Sequence, residues 1–170
     1  MHNLALYTKA SNSLLPTDTT PASFWITFPT NSFYNNSAAG SDRYGFWFDL
    51  PQHPTGPSTR DDICPTGEPL GAFEDNTAHS NVQYGVRIFD GWMPVLGDAC
   101  RYYPEAPMHV PDTATLLRYT GYRNGRTGAV STVTATDLVL VDILVTSLQE
   151  LGNLNCLTSH QLLRNGMQIC

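Results

Sequence analysis

A chain of 170 residues is long enough for one domain with a real hydrophobic core. Charged residues make up only 14%, against about 25% in ordinary globular domains, and the polar remainder is rich in Thr, Ser, Asn, Gly and Pro, which suits strands and turns better than exposed helices. The formal net charge of −6 carries no acidic or basic block, so nucleic acid is excluded as a partner for want of a basic stripe to neutralise phosphates.

Residues 1–19 read as an N-terminal extension or a preceding coil. The start, MHNLALYTKASNS, lacks the basic end and apolar core of a signal peptide, so an extracellular protein with this sequence would be an internal piece or an incomplete gene product. Thr17, Thr19 and Thr20 precede Pro21 and read as a plain linker, with O-linked sugars as the alternative. Residues 23–28, SFWITF, are a predicted strand closed by a turn over 29–31.

The next segments repeat. Residues 33–48, FYNNSAAGSDRYGFWF, align with 73–88, FEDNTAHSNVQYGVRI, and every match is 40 positions apart: Phe33 with Phe73, Asn36 with Asn76, Ala38 with Ala78, Tyr44 with Tyr84, Gly45 with Gly85. In a weaker third copy, Leu116, Thr120, Asn124 and Gly128 follow Phe73, Thr77, Asn81 and Gly85 by 43 residues. Between the copies lie inserts at 51–69, with five prolines, and at 91–111, with four, a density that excludes helix and central strand. Removing each insert leaves a unit of roughly 20 residues, the size of one coil in a stacked β-solenoid.

The predicted architecture is therefore all-β, with coils over 20–146 and Pro-rich loop excursions. Strand aromatics point inward over their counterparts, and the small residues Ala38, Ala78 and Gly121 fit a crowded corner. Asn36, Asn76, Asn81 and Asn124 read as turn residues able to take the left-handed conformation and to bond neighbouring backbone groups, and Gly45, Gly85 and Gly128 as sites of positive φ or close backbone approach. These repeated residues are scaffolding, not chemistry. Further strands are predicted over 128–134 and 137–143, whereas 147–170 reads as an imperfect coil or a short helix ended by Asn165-Gly166. No segment has the apolar length of a membrane span; residues 138–145 are too short and contain Asp142.

Four cysteines, Cys64, Cys100, Cys156 and Cys170, show no CxxC spacing and allow three pairings, among which spacing does not choose. Cys64 and Cys100 each lie in an insert, so a bridge between the inserts is one geometry open to them. Asn35-Asn36-Ser37 is an N-glycosylation sequon with Asn35 as acceptor.

The motifs TPASFWIT, FYNNSAAGSDRYGFWF, PLGAFEDNTAHSNVQYG and YRNGRTGAV, in that order, resemble the parallel β-helix region shared by fibrocystin-L, fibrocystin and the hyaluronidases related to them. The resemblance covers roughly residues 20–142. It implies a right-handed parallel β-helix within a large ectodomain at the cell surface or in the matrix. Some of those relatives act on hyaluronan, but no catalytic motif of theirs maps onto a position here, and no catalytic residue is carried over.

Candidate chemistry was weighed residue by residue. Asp61, Asp62 and Glu68 in the first insert, and Asp98 and Glu105 in the second, read as solvated loop charges rather than a glycosidase pair or a calcium loop. His53 and His109 would have to converge from separate inserts to hold a metal, and His79 aligns with Ala39 and Tyr122, which marks a coil-surface position. Trp25, Phe46 and Trp47 read as core stacking; Trp92, Tyr102 and Tyr103 are the candidates to cover the coils or to contact a glycan or partner. Neither G-x-S-x-G nor S-x-x-K occurs, nor a phosphate-cradling glycine loop; no metal or cofactor is assigned. The expected role is a structural and adhesive section of a glycosylated surface or ciliary rod that needs flanking chain or neighbouring subunits. The alternatives are a hyaluronidase-like glycan-processing enzyme and a non-catalytic carbohydrate-binding module.

Overall fold

The computed structural model describes residues 2–11, 19–88, 92–97, 99–100, 110–111, 114–131, 138–141 and 144–145. In chain order these hold β1 (Leu4–Leu6), β2 (Ala22–Ile26), β3 (Phe33–Tyr34), β4 (Ser37–Ala39), β5 (Tyr44–Phe48), β6 (Phe73–Glu74), β7 (Thr77–His79), β8 (Tyr84–Ile88), β9 (Val95–Leu96), β10 (Val110–Pro111), β11 (Ala114–Leu117), β12 (Thr120–Tyr122), β13 (Thr127–Ser131), β14 (Leu138–Val141) and β15 (Leu144–Val145). No α-helix occurs among the described residues. Residues 147–170, read above as an imperfect coil or a short helix, lie outside them.

Three parallel sheets, ordered β1-β4-β7-β12-β15, β2-β5-β8-β13 and β3-β6-β11-β14, take one strand each from successive repeats. The sequence period is their hydrogen-bonding register. Phe33 pairs with Phe73 and Phe73 with Leu116; Ala38 pairs with Ala78 and Ala78 with Gly121; Tyr44 pairs with Tyr84. Leu4–Leu6 of the N-terminal stretch joins the first sheet, with Ala5 opposite Ala38.

Strand alternation decides which aromatics are buried. Phe24 stacks on Phe46 with centroids 4.7 Å apart and planes 7° apart, and both meet the edge of Phe33. Phe73 packs against Phe46, Phe48 and Tyr119, which extends the apolar column through the repeats. Each such ring contributes about 1.5–3 kcal/mol by leaving water. Because Phe46 and Phe48 point inward, Trp47 between them must point out, and Trp25 in the same register does likewise; Trp25 is 62% exposed. The expectation of core stacking therefore holds for Phe46 and fails for Trp25 and Trp47.

At the turns the repeated asparagines bond neighbouring backbone groups as expected, but they do not take the left-handed angle. At the corners the left-handed residues are Asn35, Asp75 and Arg118 in one column and Tyr7, Gly40, Ser80 and Arg123 in another, and Asn35, Asp75, Ser80 and Arg123 each stand one position before a buried asparagine. Asn36, Asn76, Asn81 and Asn124 are instead buried, and their amides stack. Asn36 donates its backbone N–H (2.9 Å) and Nδ2 (3.0 Å) to Asn76 Oδ1, while Asn76 Nδ2 donates to the Phe33 carbonyl at 2.9 Å. In the second ladder Ser41 N donates to Asn81 Oδ1, and Asn81 N and Nδ2 donate to Asn124 Oδ1. A buried corner has no water to satisfy backbone donors, so an amide that accepts and donates at once is what the position demands. Gly45 and Gly85 have no positive φ; they are small because a Cβ on Gly85 would lie 2.3 Å from the Gly128 carbonyl oxygen.

The described parts of the two inserts are joined into one plate. A disulfide joins Cys64 to Cys100, and Met93 N donates to the Thr66 carbonyl at 2.8 Å. Trp92 is 1% exposed, stacks on Phe48 and donates Nε1 to the Glu68 carbonyl at 3.0 Å. The proline-dense segments are not wholly irregular: 3-10 turns sit at Gly56–Ser58 and Pro65–Gly67, and β9 pairs antiparallel with β10. Proline starts a tight turn or ends an edge strand without losing a needed hydrogen bond. Reduction under native conditions is expected to open the plate to proteolysis near Cys64 and Cys100 while residues 22–48 stay resistant; peptide mapping of the limited digest checks this.

Candidate functional site

The sheet β2-β5-β8-β13 carries a row of aromatic and guanidinium groups in which Trp25 is exposed and Tyr44 is buried at 3% exposure. Trp25 stacks on Trp47 with centroids 5.9 Å apart and planes 17° apart, and Trp25 Nε1 donates to Asp49 Oδ2 at 3.1 Å. Trp47 meets the Tyr44 ring at 5.6 Å, and Tyr44 stacks on Tyr84 at 5.7 Å. The Arg87 guanidinium lies over Tyr44 and Tyr84, at 5.1 and 5.5 Å from their centroids, and Nη1 donates to the Tyr44 hydroxyl. Arg126 also lies over Tyr84, 6.0 Å from its centroid, and donates to its hydroxyl at 3.4 Å. Stacking holds each guanidinium in place at little entropic cost, so the face is pre-ordered for a ligand with apolar ring faces and acidic substituents.

Sequence reasoning missed this stripe, although the repeat contained its signal: 40 residues after Trp47 stands Arg87, directly paired with it across β5 and β8. The residues singled out instead lie elsewhere. Trp92 is buried beneath the plate and presents no ring face to a glycan, a correction that follows from its stacking on Phe48. Tyr102, Tyr103, Asp98, Glu105 and His109 lie outside the described residues. Asp61 and Asp62 are exposed, Arg60 Nε bonding Asp62 at 2.8 Å. His53 Nδ1 sits 3.2 Å from the Ile63 carbonyl and 3.4 Å from Cys64 Sγ. His79 stacks on Tyr122 at 4.5 Å on another sheet. Among the described residues no three His, Cys, Asp or Glu side chains gather as a metal site.

Asn35, the sequon acceptor, occupies an exposed left-handed corner, stacked in register with Asp75 and Arg118. Arg118 grips Asp75 through Nε (2.6 Å) and Nη2 (2.8 Å), and this hydrogen bonding holds the Asp75 carboxyl below its ordinary range. The folded pKa is the lower one. The pair's stabilisation is thus present above the unfolded carboxyl pKa and is lost as pH falls through the folded value. NMR titration should find Asp75 below an unperturbed carboxyl, and Arg118→Gln should return it upward.

Parallel ladders in 40- and 43-residue register, with amides stacked inside and rings outside, define an all-β repeat protein. The comparison with known sequences sharpens that class: the profile described as CEMIP beta-helix matches residues 2–86, half of the chain, and the chain belongs to this family. Fibrocystin-L of Homo sapiens is 42% identical over 106 residues, covering 62% of the chain and 2% of that protein. The cell migration-inducing and hyaluronan-binding protein of Mus musculus is 34% identical over 124 residues, 64% of the chain and 9% of that protein. The cell surface hyaluronidase CEMIP2 of Homo sapiens is 32% identical over 170 residues, 75% of the chain and 12% of that protein. The chain thus spans a small fraction of these relatives' length. The match reaches residue 2, so the N-terminal stretch belongs to the similarity, unlike the boundary near residue 20 expected from motifs alone.

Proposed function

We propose that this chain is a structural section of an extracellular, cell-surface protein, forming right-handed parallel β-helix coils within a longer, rigid and glycosylated rod. The observation that carries the reading is the stacking of Asn3 on Asn36 and of Asn36 on Asn76, the last two buried, which ties successive repeats into one body by their amides. Stacking of this kind spends its polar groups on the scaffold and grows by addition of coils. The surface placement draws on the relatives named as cell surface hyaluronidases. Flanking chain or neighbouring subunits would cover the ends, and Asn35 would carry sugar. Intact-mass and glycopeptide analysis of the protein from its natural source tests this. A mass far above 18.7 kDa with sugar on Asn35 supports the rod, and an unmodified cytosolic chain of that mass overturns it.

A second reading is favoured by the aromatic–arginine stripe: a non-catalytic surface for acidic glycans, consistent with a relative named for hyaluronan binding. Ring faces would pack on sugar rings and the guanidinium groups of Arg87 and Arg126 would pair with carboxylates. Trp25→Ala should weaken retention on immobilised hyaluronan by about tenfold, in keeping with a contact of roughly 1.4 kcal/mol, and should leave thermal stability unchanged. Equal retention of Trp25→Ala, Arg126→Ala and wild type removes this reading.

A further inference from the structure

The bridge between the two inserts has unlike halves. Cys64 is 3% exposed, whereas Cys100 is partly exposed, so solvent meets the bond from the Cys100 side. A thiolate attacks a disulfide in line with the S–S bond, and the sulfur it does not touch departs with the bonding electrons. Access therefore makes Cys100 the sulfur that is attacked and Cys64 the one that leaves.

A histidine stands at the leaving end. His53 Nδ1 lies 3.2 Å from the Ile63 carbonyl oxygen and 3.4 Å from Cys64 Sγ. A carbonyl oxygen only accepts, so Nδ1 carries the proton, and its N–H is placed between that oxygen and the sulfur. A disulfide sulfur is a weak acceptor, but a thiolate is a strong one, and a hydrogen bond to a charged group is about twice as strong as a neutral one. Departure of Cys64 thus draws to the sulfur a donor that is in place beforehand. The Asp61 carbonyl, 3.9 Å from Cys64 Sγ, is the acceptor for the S–H once that thiolate takes a proton. Of the two carboxylates that precede Cys64 in the loop, Asp62 is held by Arg60 Nε at 2.8 Å, which offsets part of the negative charge that opposes a thiolate, and Asp61 is exposed to water.

We propose that Cys100 is a site of covalent modification by a small thiol, with Cys64 as the leaving group and His53 as the positioning residue that receives it. In the step, an external thiolate bonds to Cys100 Sγ, the Cys64–Cys100 bond breaks, and its electron pair passes to Cys64 Sγ. A second thiolate attacking the external sulfur of the mixed disulfide releases Cys100 as a thiolate. The two small thiols leave as their own disulfide, oxidised by the two electrons that the bridge has gained. Since the bridge is a covalent tie between the inserts, its opening is the event that loosens the plate.

The probe is reduced glutathione, applied to the native 170-residue chain after free thiols have been blocked with iodoacetamide. The reaction is quenched with excess N-ethylmaleimide and the protein is digested with trypsin. Cleavage after Arg60, Arg87 and Arg101 places Cys64 in peptide 61–87 and Cys100 in peptide 88–101, so mass spectrometry reads each sulfur separately. Glutathione on 88–101 with maleimide on 61–87 should exceed the reverse arrangement by about tenfold. His53→Ala should slow this labelling by about tenfold at an unchanged melting temperature. His53→Asn, whose amide offers an N–H near the same point, should restore most of the rate. Equal or reversed labelling of the two peptides overturns the assignment of Cys100. So does a bridge that reacts in urea but not in the native protein, or a native rate that does not rise with glutathione, because attack would then wait for unfolding. A His53→Ala rate equal to wild type, or an asparagine variant as slow as the alanine one, overturns the role of His53.

Discussion

Gly85→Ala should destabilise the fold by about 3 kcal/mol or more, the cost of forcing atoms into a filled core. An added Cβ would lie 2.2 Å from the Tyr119 hydroxyl, 2.3 Å from the Gly128 carbonyl oxygen and 2.9 Å from Asn124 Nδ2. The first belongs to a side chain, but Tyr119 is itself buried and bonded to the Gly128 carbonyl, its phenol pushed well above the ordinary range by desolvation. Since the Gly128 oxygen is backbone in the paired strand β13, relief requires β8 and β13 to part. Tyr119→Phe removes the hydroxyl without moving that oxygen, so Gly85→Ala/Tyr119→Phe should not recover wild-type stability. Chemical denaturation of the single and double variants checks both statements. Full recovery in the double variant would show that the hydroxyl alone makes the position small.

The same stacking explains what sequence reading reaches and what it does not. Residues that lie over their own counterparts repeat, so the pairing of Phe33 with Phe73 and of Phe73 with Leu116 is legible as a period. The facing of Trp25 and Trp47 is not, because SFWITF and YGFWF are apolar at consecutive positions and period alone does not say which set turns inward. The left-handed residue was misplaced by one position because asparagine is a frequent left-handed residue; here its amide is needed in the buried ladder, and Asn35, Asp75 and Arg118 take the strained angle in solvent. β1 is only three residues long, too short for any periodic signal, and is recognised by its pairing with β4. The Trp25–Trp47–Tyr44–Arg87 stripe draws on three strands, so it appears only when repeats are laid side by side. The plate formed by the inserts depends on contacts between two non-repeating segments, which no period encodes.

Asn76→Ala is the second large effect, expected at about 3–5 kcal/mol, because a buried polar group that loses its partner costs about 1–3 kcal/mol. Truncation strands three groups at once: Asn36 N–H and Asn36 Nδ2 lose their acceptor, and the Phe33 carbonyl loses the Asn76 Nδ2 donor. Asn76 is 0% exposed, so water does not replace the amide unless the corner opens. Asn31 is the control: its Nδ2 donates to the Phe28 carbonyl at 2.9 Å on the exposed surface, and Asn31→Ala should fall within about 0.5 kcal/mol of wild type. Asn76→Asp separates accepting from donating. Its carboxylate still receives both Asn36 donors but has no proton for the Phe33 carbonyl, so it should recover part of the loss. Thermal melts of the three variants should therefore rank Asn31→Ala highest, Asn76→Asp next and Asn76→Ala lowest. If Asn76→Ala melts with Asn31→Ala, the amide ladder is not what binds one repeat to the next, and the aromatic column from Phe24 to Tyr119 must carry the stacking alone.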